Sequence, residues 1–417
     1  MITTADAMWT CPSPNLPRSA RGVCITLLSC LATGVSVASD DAPAPSPLAL
    51  FARYTGDQWW NTRGGLERGD AYVDNLLLSA TLDGEQGLGL RGLTLHASTV
   101  YGNDTSLSGR LVGDTMNVSN IEAGDGVRIY EAWAEWGMPG NRSASLRVGF
   151  YDLNSEFDFD ESRTLFLHSA YGIGHDLAQS GLNGPSIFPT PGLAARVAWR
   201  AGDVGSLRLA VLDGVPGSDD GSARPSLHTS SKEGVLWIIE GDRGVGAAGR
   251  VAVGAWRYSA YFDDLLAVTP GGEPEQRNDN QGAYLSLSWN PPYDGSVGDR
   301  RHSFFLRAGV ANGRVNDFDR FVAAGWNAPA PWPANHRGRW GIAASSAHAS
   351  RSYQEQQARL GQPVSSAEWN VELTWRMQVT PWLALQPDVQ YVGNPGLNRQ
   401  LGDAVVVGVR VDMALAW

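Results

Sequence analysis

Residues 151–192 gather the groups with most chemical potential in this chain. The first third of the stretch holds Asp152, Glu156, Asp158, Asp160 and Glu161 against one base, Arg163, and the rest is small, aromatic and glycine-rich, ending in Pro189 and Pro191. Unstructured connections of this length are uncommon in compact domains and usually carry function. Catalytic chemistry finds little support. There is no G-x-S-x-G elbow, no H-E-x-x-H and no G-K-[ST] phosphate loop, and Lys232 is the single lysine. Gly172 and Gly174 open a G-x-G without its third glycine. His168 and His175 are too few for a metal site, and adjacency of His168 and Ser169 in sequence does not make a triad. No cofactor is expected.

What remains is recognition by paired charges. Read by alternation, Arg147, Arg196, Arg208, Arg257, Arg307, Arg376 and Arg410 point to one interior, where strand acids are fewer: Glu131, Glu135, Glu372, Asp388 and Asp412. Glu156, Asp158 and Asp160 would supply the missing carboxylates. An acidic edge facing arginines sets a transverse field across a narrow, low-dielectric opening, which orders water and opposes apolar solutes. A solute rich in hydroxyls can exchange that water for Arg and carboxylate forks. Trp133, between Glu131 and Glu135, and Asn75 offer the aromatic face and the amide that a ring with hydroxyl edges requires. The other placement, with the segment folded outward as a lid and its acids in water, stays open.

The elements that must position these groups are strands. From residue 48 onward the dominant period is two, in segments of about ten residues separated by turn signals. Within 71–82, Leu76, Leu78, Ala80 and Leu82 oppose Asn75, Ser79 and Thr81; within 127–136, Tyr130, Ala132, Ala134 and Trp136 oppose Glu131, Trp133 and Glu135. The clearest case is 405–417, where Val405, Val407, Val409, Val411, Met413, Leu415 and Trp417 oppose Gly408, Arg410 and Asp412. About sixteen such strands fit, an even number as bacterial barrels require. One face is too polar for a dry core and the other too apolar for water, so a soluble sandwich is disfavoured and a closed barrel in lipid satisfies both. The expected fold is all-β: a transmembrane antiparallel barrel of about 16 strands, with residues 151–192 as a long constriction loop folded inward. Hydrophobic content is 43% and charged content 18%, yet no run of roughly 18 apolar residues follows residue 40, so no membrane helix is offered. Among 16 Trp, those near strand ends suit interface girdles: Trp59, Trp136, Trp289, Trp369, Trp382 and Trp417, with Tyr391. Connections alternate long and short, 102–126, 151–192, 213–234, 262–281 and 347–367 being the long ones. The proline-rich 327–338 connection breaks the phase.

Residues 1–39 read as a signal peptide: Arg18 and Arg21 precede an apolar stretch at 23–32 and small residues at 37–39. A lipoprotein box at Cys30 fits poorly because Leu28 is large. Residues 40–47 form a Pro/Ala linker, leaving 48–417 as the barrel. Cys11, Cys24 and Cys30 all fall in the leader, which excludes cysteine chemistry from the mature chain. A net charge of −11 argues against nucleic acid.

These residues also resemble a known family. YTGDQWWNTRGGLERGDAYVDNLLL, RIYEAWAEW, LRVGFYDLNSEFD, FLHSAYGIG, SGLNGPSIFP, AVLDGVPG, LALQPDVQYVGNPG and VVVGVRVDMALAW stand in order over residues 50–417, and the pattern is similar to that of the carbohydrate-selective porins (OprB type). The resemblance implies a sixteen-stranded barrel in the outer membrane of a Gram-negative bacterium that lets small sugars such as glucose diffuse inward. It further implies outer-membrane lipid as surroundings and the barrel-assembly machinery as a partner through the aromatic Trp417. The chain departs from the pattern in ending on Trp rather than Phe and in its short linker. A barrel enzyme and a plugged structural barrel are the competing readings, and the oligomeric state stays open.

Overall fold

The computed structural model describes residues 46–417 apart from 105, 138–142, 203, 218–232, 247, 291–301 and 331–337. The leader, most of the linker, Lys232 and the middle of the 327–338 connection lie outside the described residues.

Eight strands form the first half: β1 (Leu48–Arg63), β2 (Gly69–Asp83), β3 (Leu93–Asp104), β4 (Gly126–Gly137), β5 (Ala144–Tyr151), β6 (Gly192–Arg200), β7 (Gly205–Asp213) and β8 (Val235–Val245). β9 (Gly249–Tyr258) follows. A hairpin of β10 (Phe262–Val268) and β11 (Pro274–Arg277) stands apart as its own two-stranded sheet. The ring resumes with β12 (Gln281–Trp289), β13 (Ser303–Ala311), β14 (Phe318–Pro329), β15 (Gly338–Ala349), β16 (Ala367–Thr380), β17 (Leu383–Gly393) and β18 (Ala404–Ala416). Sixteen of these strands close into one antiparallel barrel, each paired with its neighbour in the chain and β1 with β18. At the closing seam Phe51 lies opposite Ala416 and Asp57 opposite Arg410. Leu50 and Trp417 exchange backbone hydrogen bonds of 3.0 and 2.9 Å. Closure satisfies the backbone groups of every barrel strand, the condition for spanning lipid without helices.

The alternating sequence explains which way each strand faces. On β18, Val406, Gly408, Arg410 and Asp412 turn inward while Val409 and Leu415 remain exposed. On β16, Glu368, Asn370, Glu372 and Thr374 are buried inside and Leu373 is exposed. Trp136, Trp289, Trp382 and Trp417 are exposed on the outside, and Trp369 stacks on Tyr391 with ring centroids 5.1 Å apart.

Three side chains depart from the sequence expectation. Trp59 is not at an interface: it is fully buried inside, over Gly408, with Nε1 donating to Asp57 at 3.3 Å. Tyr130 does not face out with Ala132, because the β3–β4 register shifts between Ser98 and Thr99. The resulting bulge turns Tyr130 and Glu131 inward together. Arg257 does not face in: Trp256 and Tyr258 are buried on either side of it and Arg257 is exposed.

The inside is not empty. The 102–126 connection, one of the long ones, carries a turn of helix at Ser108–Val112. Its Leu107, Leu111, Val112, Val118 and Ile121 pack with Trp59, Val73, Val392 and Val406. Residues 151–192 pack Tyr151, Leu153, Phe157, Ile173 and Leu177 against Ile238, Trp256, Tyr258 and Tyr284. They also pack Phe166 and Tyr171 against Phe305 and Phe321. The α-helices among the described residues are α1 (Gly84–Leu88), α2 (His175–Ala178) and α3 (Arg351–Arg359). α1 is capped by Asp83 in a short turn, and Gln356 of α3 donates to the Leu265 carbonyl of β10 at 2.9 Å.

Candidate functional site

Residues 151–192 run as a strap from β5 to the opposite wall. The bulge on β4 seats its first residue: the Tyr130 hydroxyl donates to the Asp152 carboxylate, and the Asp152 N–H donates to Glu131 at 3.1 Å. Burial pushes the Asp152 carboxyl up to about 6. At the far side, the N–H groups of Leu167 and His168 donate to Glu372 at 2.7 and 2.9 Å. Gln386 donates to the Leu165 carbonyl at 2.7 Å, and Tyr171 to Asn370 at 2.8 Å. The partners lie on β4, β16 and β17, so the strap spans the interior.

Four of the expected site residues form one network. Arg147 reaches Glu135 at 2.6 Å and Glu156 at 3.5 Å; Arg196 reaches Glu135 at 3.0 Å and Glu156 at 2.7 Å. Register places Glu135 opposite Arg147 and Arg147 opposite Arg196. The Arg147 guanidinium lies 3.9 Å over the Trp133 ring, a cation–π contact. His96 stacks on the same indole with centroids 4.9 Å apart, and the buried Trp133 Nε1 has no hydrogen-bond partner. Arg208 joins a second network, at 2.8 Å from Glu240 and 2.6 Å from Asp242, which Arg250 enters at 3.5 Å from Asp242 and 3.6 Å from Asp160.

The three strap acids have different surroundings. Glu156 keeps 22% side-chain exposure. Asp158 and Asp160 are 1% and 5% exposed, so neither can line an opening as the sequence suggested. Asp158 meets Arg307 at 2.8 Å and Arg163 at 3.2 Å. Burial would raise its carboxyl, but Arg307 and Arg163 outweigh this and hold it below the ordinary range. Asp160 accepts from the Ser162 N–H at 2.9 Å and caps a short turn. Asn75 is buried inside with both amide atoms unpartnered, and Glu131 is spent on the strap. His168 and His175 are buried beside Tyr171 and Phe318, with centroids 5.8 and 4.5 Å apart. Burial pushes their imidazoles down to about 3 and about 4.

Sequence reasoning passed over Arg53 and Arg250, two inward charges that keep solvent access, while Arg376 beside them was expected inside. Arg53 (28%) bonds Asp412 at 2.6 Å, Arg376 (16%) shares that carboxylate at 2.5 Å, and Arg250 keeps 29%. Arg410 makes a two-bond fork with Asp57, each bond 2.7 Å. The alternation of Arg53, Thr55 and Asp57 on β1 was the signal available for the first of these.

A closed barrel with an apolar outside and a charged, partly wetted inside is a transmembrane β-barrel of the outer-membrane type. Residues 67–415 match the family described as carbohydrate-selective porin, OprB family, and the chain belongs to that family. It is similar to Porin B of Pseudomonas aeruginosa PAO1, 20% identical over 394 residues that cover 86% of this chain and 85% of the relative. The high-pH structure of Pseudomonas putida OprB superposes with a TM-score of 0.79 at 18% identity, covering 88% of this chain and 94% of the other. Its low-pH structure gives 0.53 at 14% identity, over 88% and 93%. Family and fold together indicate a channel protein of the Gram-negative outer membrane.

Proposed function

We propose that the barrel gives passive passage to small, glucose-type sugars, with the strap and the wall it faces forming the narrow part of the route. The observation that carries this reading is the pairing of the wetted lumenal charges. Arg147, Arg208, Arg250, Arg53 and Arg376 each stand within 2.5–3.6 Å of a carboxylate. Paired forks present donors and acceptors in fixed geometry with little net charge, which suits an uncharged, hydroxyl-rich solute better than an ion. The cluster of Glu135, Glu156, Arg147 and Arg196 is the contact point this reading favours, offering forks to a sugar's hydroxyl edges, with Trp133, covered by Arg147 and His96, holding Arg147 in place. Asp158 and Asp160 act there as struts for the strap. Binding must stay weak for the route to conduct.

The plugged-barrel reading is favoured by one observation: two connections, not one, pack inside. A planar-bilayer recording separates the two. Steady open steps, partly blocked by added glucose and less so in Trp133→Ala, support sugar passage. Silence under every condition supports the plug.

A further inference from the structure

The lipid-facing wall carries a concavity that sugar passage does not use. Across five strands the register sets Leu209 opposite Ile239, Ile239 opposite Ala255, Ala255 opposite Ala283, and Ala283 opposite Val310. Two alanines side by side leave the outer surface low between Ile239 and Val310, and a groove of about 560 Å³ lies over them. One step along the strands, Trp237 stands opposite Arg257 and Arg257 opposite Gln281. There a second hollow of about 340 Å³ opens between Trp237, Arg257, Ser259 and Asn278. Arg257 is exposed, donates to the Asn278 carbonyl at 3.2 Å, and makes no ion pair among the described residues.

An apolar trough leading to a guanidinium that meets no carboxylate among the described residues matches an amphiphile with an acyl chain and a phosphate head. Arg forks suit phosphate, and basic pockets at membrane depth take lipid head groups. Arg257 sits at the end of β9 that leads into the long 262–281 connection, and long connections join the strands at the extracellular end in barrels of this class. That end meets the external leaflet, which is built of phosphorylated glycolipid. We propose that this groove binds that glycolipid, with one acyl chain over Ala255 and Ala283 and a phosphate at Arg257.

The test is titration of the purified mature barrel in detergent with bisphosphorylated lipid A, read by native mass spectrometry. Arg257→Gln should weaken binding at least tenfold, and Arg257→Lys should recover most of it. Ala283→Phe, which fills the trough, should also weaken it at least tenfold. Lipid A stripped of phosphate and phosphatidylglycerol should each bind wild type at least tenfold more weakly, and inorganic phosphate should not compete. Conductance steps should match wild type in all three variants, which shows that each is folded. Unchanged affinity in Arg257→Gln or in Ala283→Phe overturns the site, and equal affinity for phosphatidylglycerol overturns the glycolipid as its occupant.

Discussion

Arg307 on β13 and Asp176 in the strap form an ion pair in which neither side chain has any exposed surface. The close approach depends on two glycines, because a Cβ at Gly174 would strike the Arg307 guanidinium and one at Gly309 would strike both partners. Removing one member of a buried pair leaves a charge that water cannot reach. Asp158 still holds Arg307, so Asp176→Ala should cost about 3 kcal/mol, the low end for such a break. The shift of the urea midpoint in lipid vesicles measures it, and an unshifted midpoint would mean that the strap is held elsewhere.

Glu135 and Glu156 retain 23% and 22% side-chain exposure, whereas Asp160 retains 3%. Converting both glutamates to Gln leaves Arg147 and Arg196 without their carboxylates. Ion selectivity should then move toward anions, read as a reversal-potential shift in a salt gradient. Asp160→Asn should leave the potential in place. A shift of equal size from Asp160→Asn would put the wetted edge of the strap in the wrong place.

The buried histidines make strap docking sensitive to acid. His168 and His175 stay neutral when docked down to about pH 3 and 4, while exposed imidazoles take up protons near 6.5. Their contribution is complete above pH 6.5 and is lost as pH falls toward 4 and then 3. Asp152 works in the opposite sense: the docked form takes up its proton near pH 6, so acid favours docking there. Strap amides should lose hydrogen-exchange protection at pH 4.5 relative to pH 7, after correction for intrinsic rates. His168→Gln with His175→Gln should remove the difference. Persistence of the loss in that variant would assign it to other groups.

Val409 faces lipid in mid-strand, opposite Pro387 on β17. Val409→Arg should destabilise the barrel by about 2–4 kcal/mol if it sits near the bilayer midplane, checked by equilibrium unfolding in vesicles. A cost near zero would mean that this face is wetted. The neighbouring Gly408 offers no lumenal control, since a Cβ there would strike the Trp59 ring.

The mature chain should begin near Asp40. N-terminal sequencing of protein purified from membranes checks this, and a chain starting at Met1 or a lipidated Cys30 would contradict it.

The sixteen-stranded ring was legible because alternation is a backbone property, repeated on every strand from Leu76 and Leu78 to Val407 and Val409. Which face looks inward was less legible. Alternation that puts arginine on the polar face works for Arg307 in mid-strand but fails for Arg257 at the rim, where a long side chain reaches water from either face. Tyr130 was misplaced because a bulge resets the period, and a single extra residue leaves no trace in composition. The site was half legible. Arg147, Arg196, Glu135 and Glu156 meet as charge complementarity suggested, but Asp158 is taken up by Arg307 and Glu240, 149 and 82 residues away in the chain, and Asp160 lies beside Arg250. No local pattern records such contacts, nor the inward fold of the 102–126 connection.

The seam between β1 and β18 has a consequence for how the barrel is made. It joins the first and last strands of the ring, so its contacts are the most distant in sequence among the barrel strands. The entropic cost of closing so long a loop rises only with the logarithm of its length, and the hydrogen bonds between Leu50 and Trp417 are of ordinary length. Before that strand arrives, any sheet already formed has two bare edges, each a template for pairing with another chain. Formation of the seam removes both edges at once, so pairing with another chain stays open until it forms.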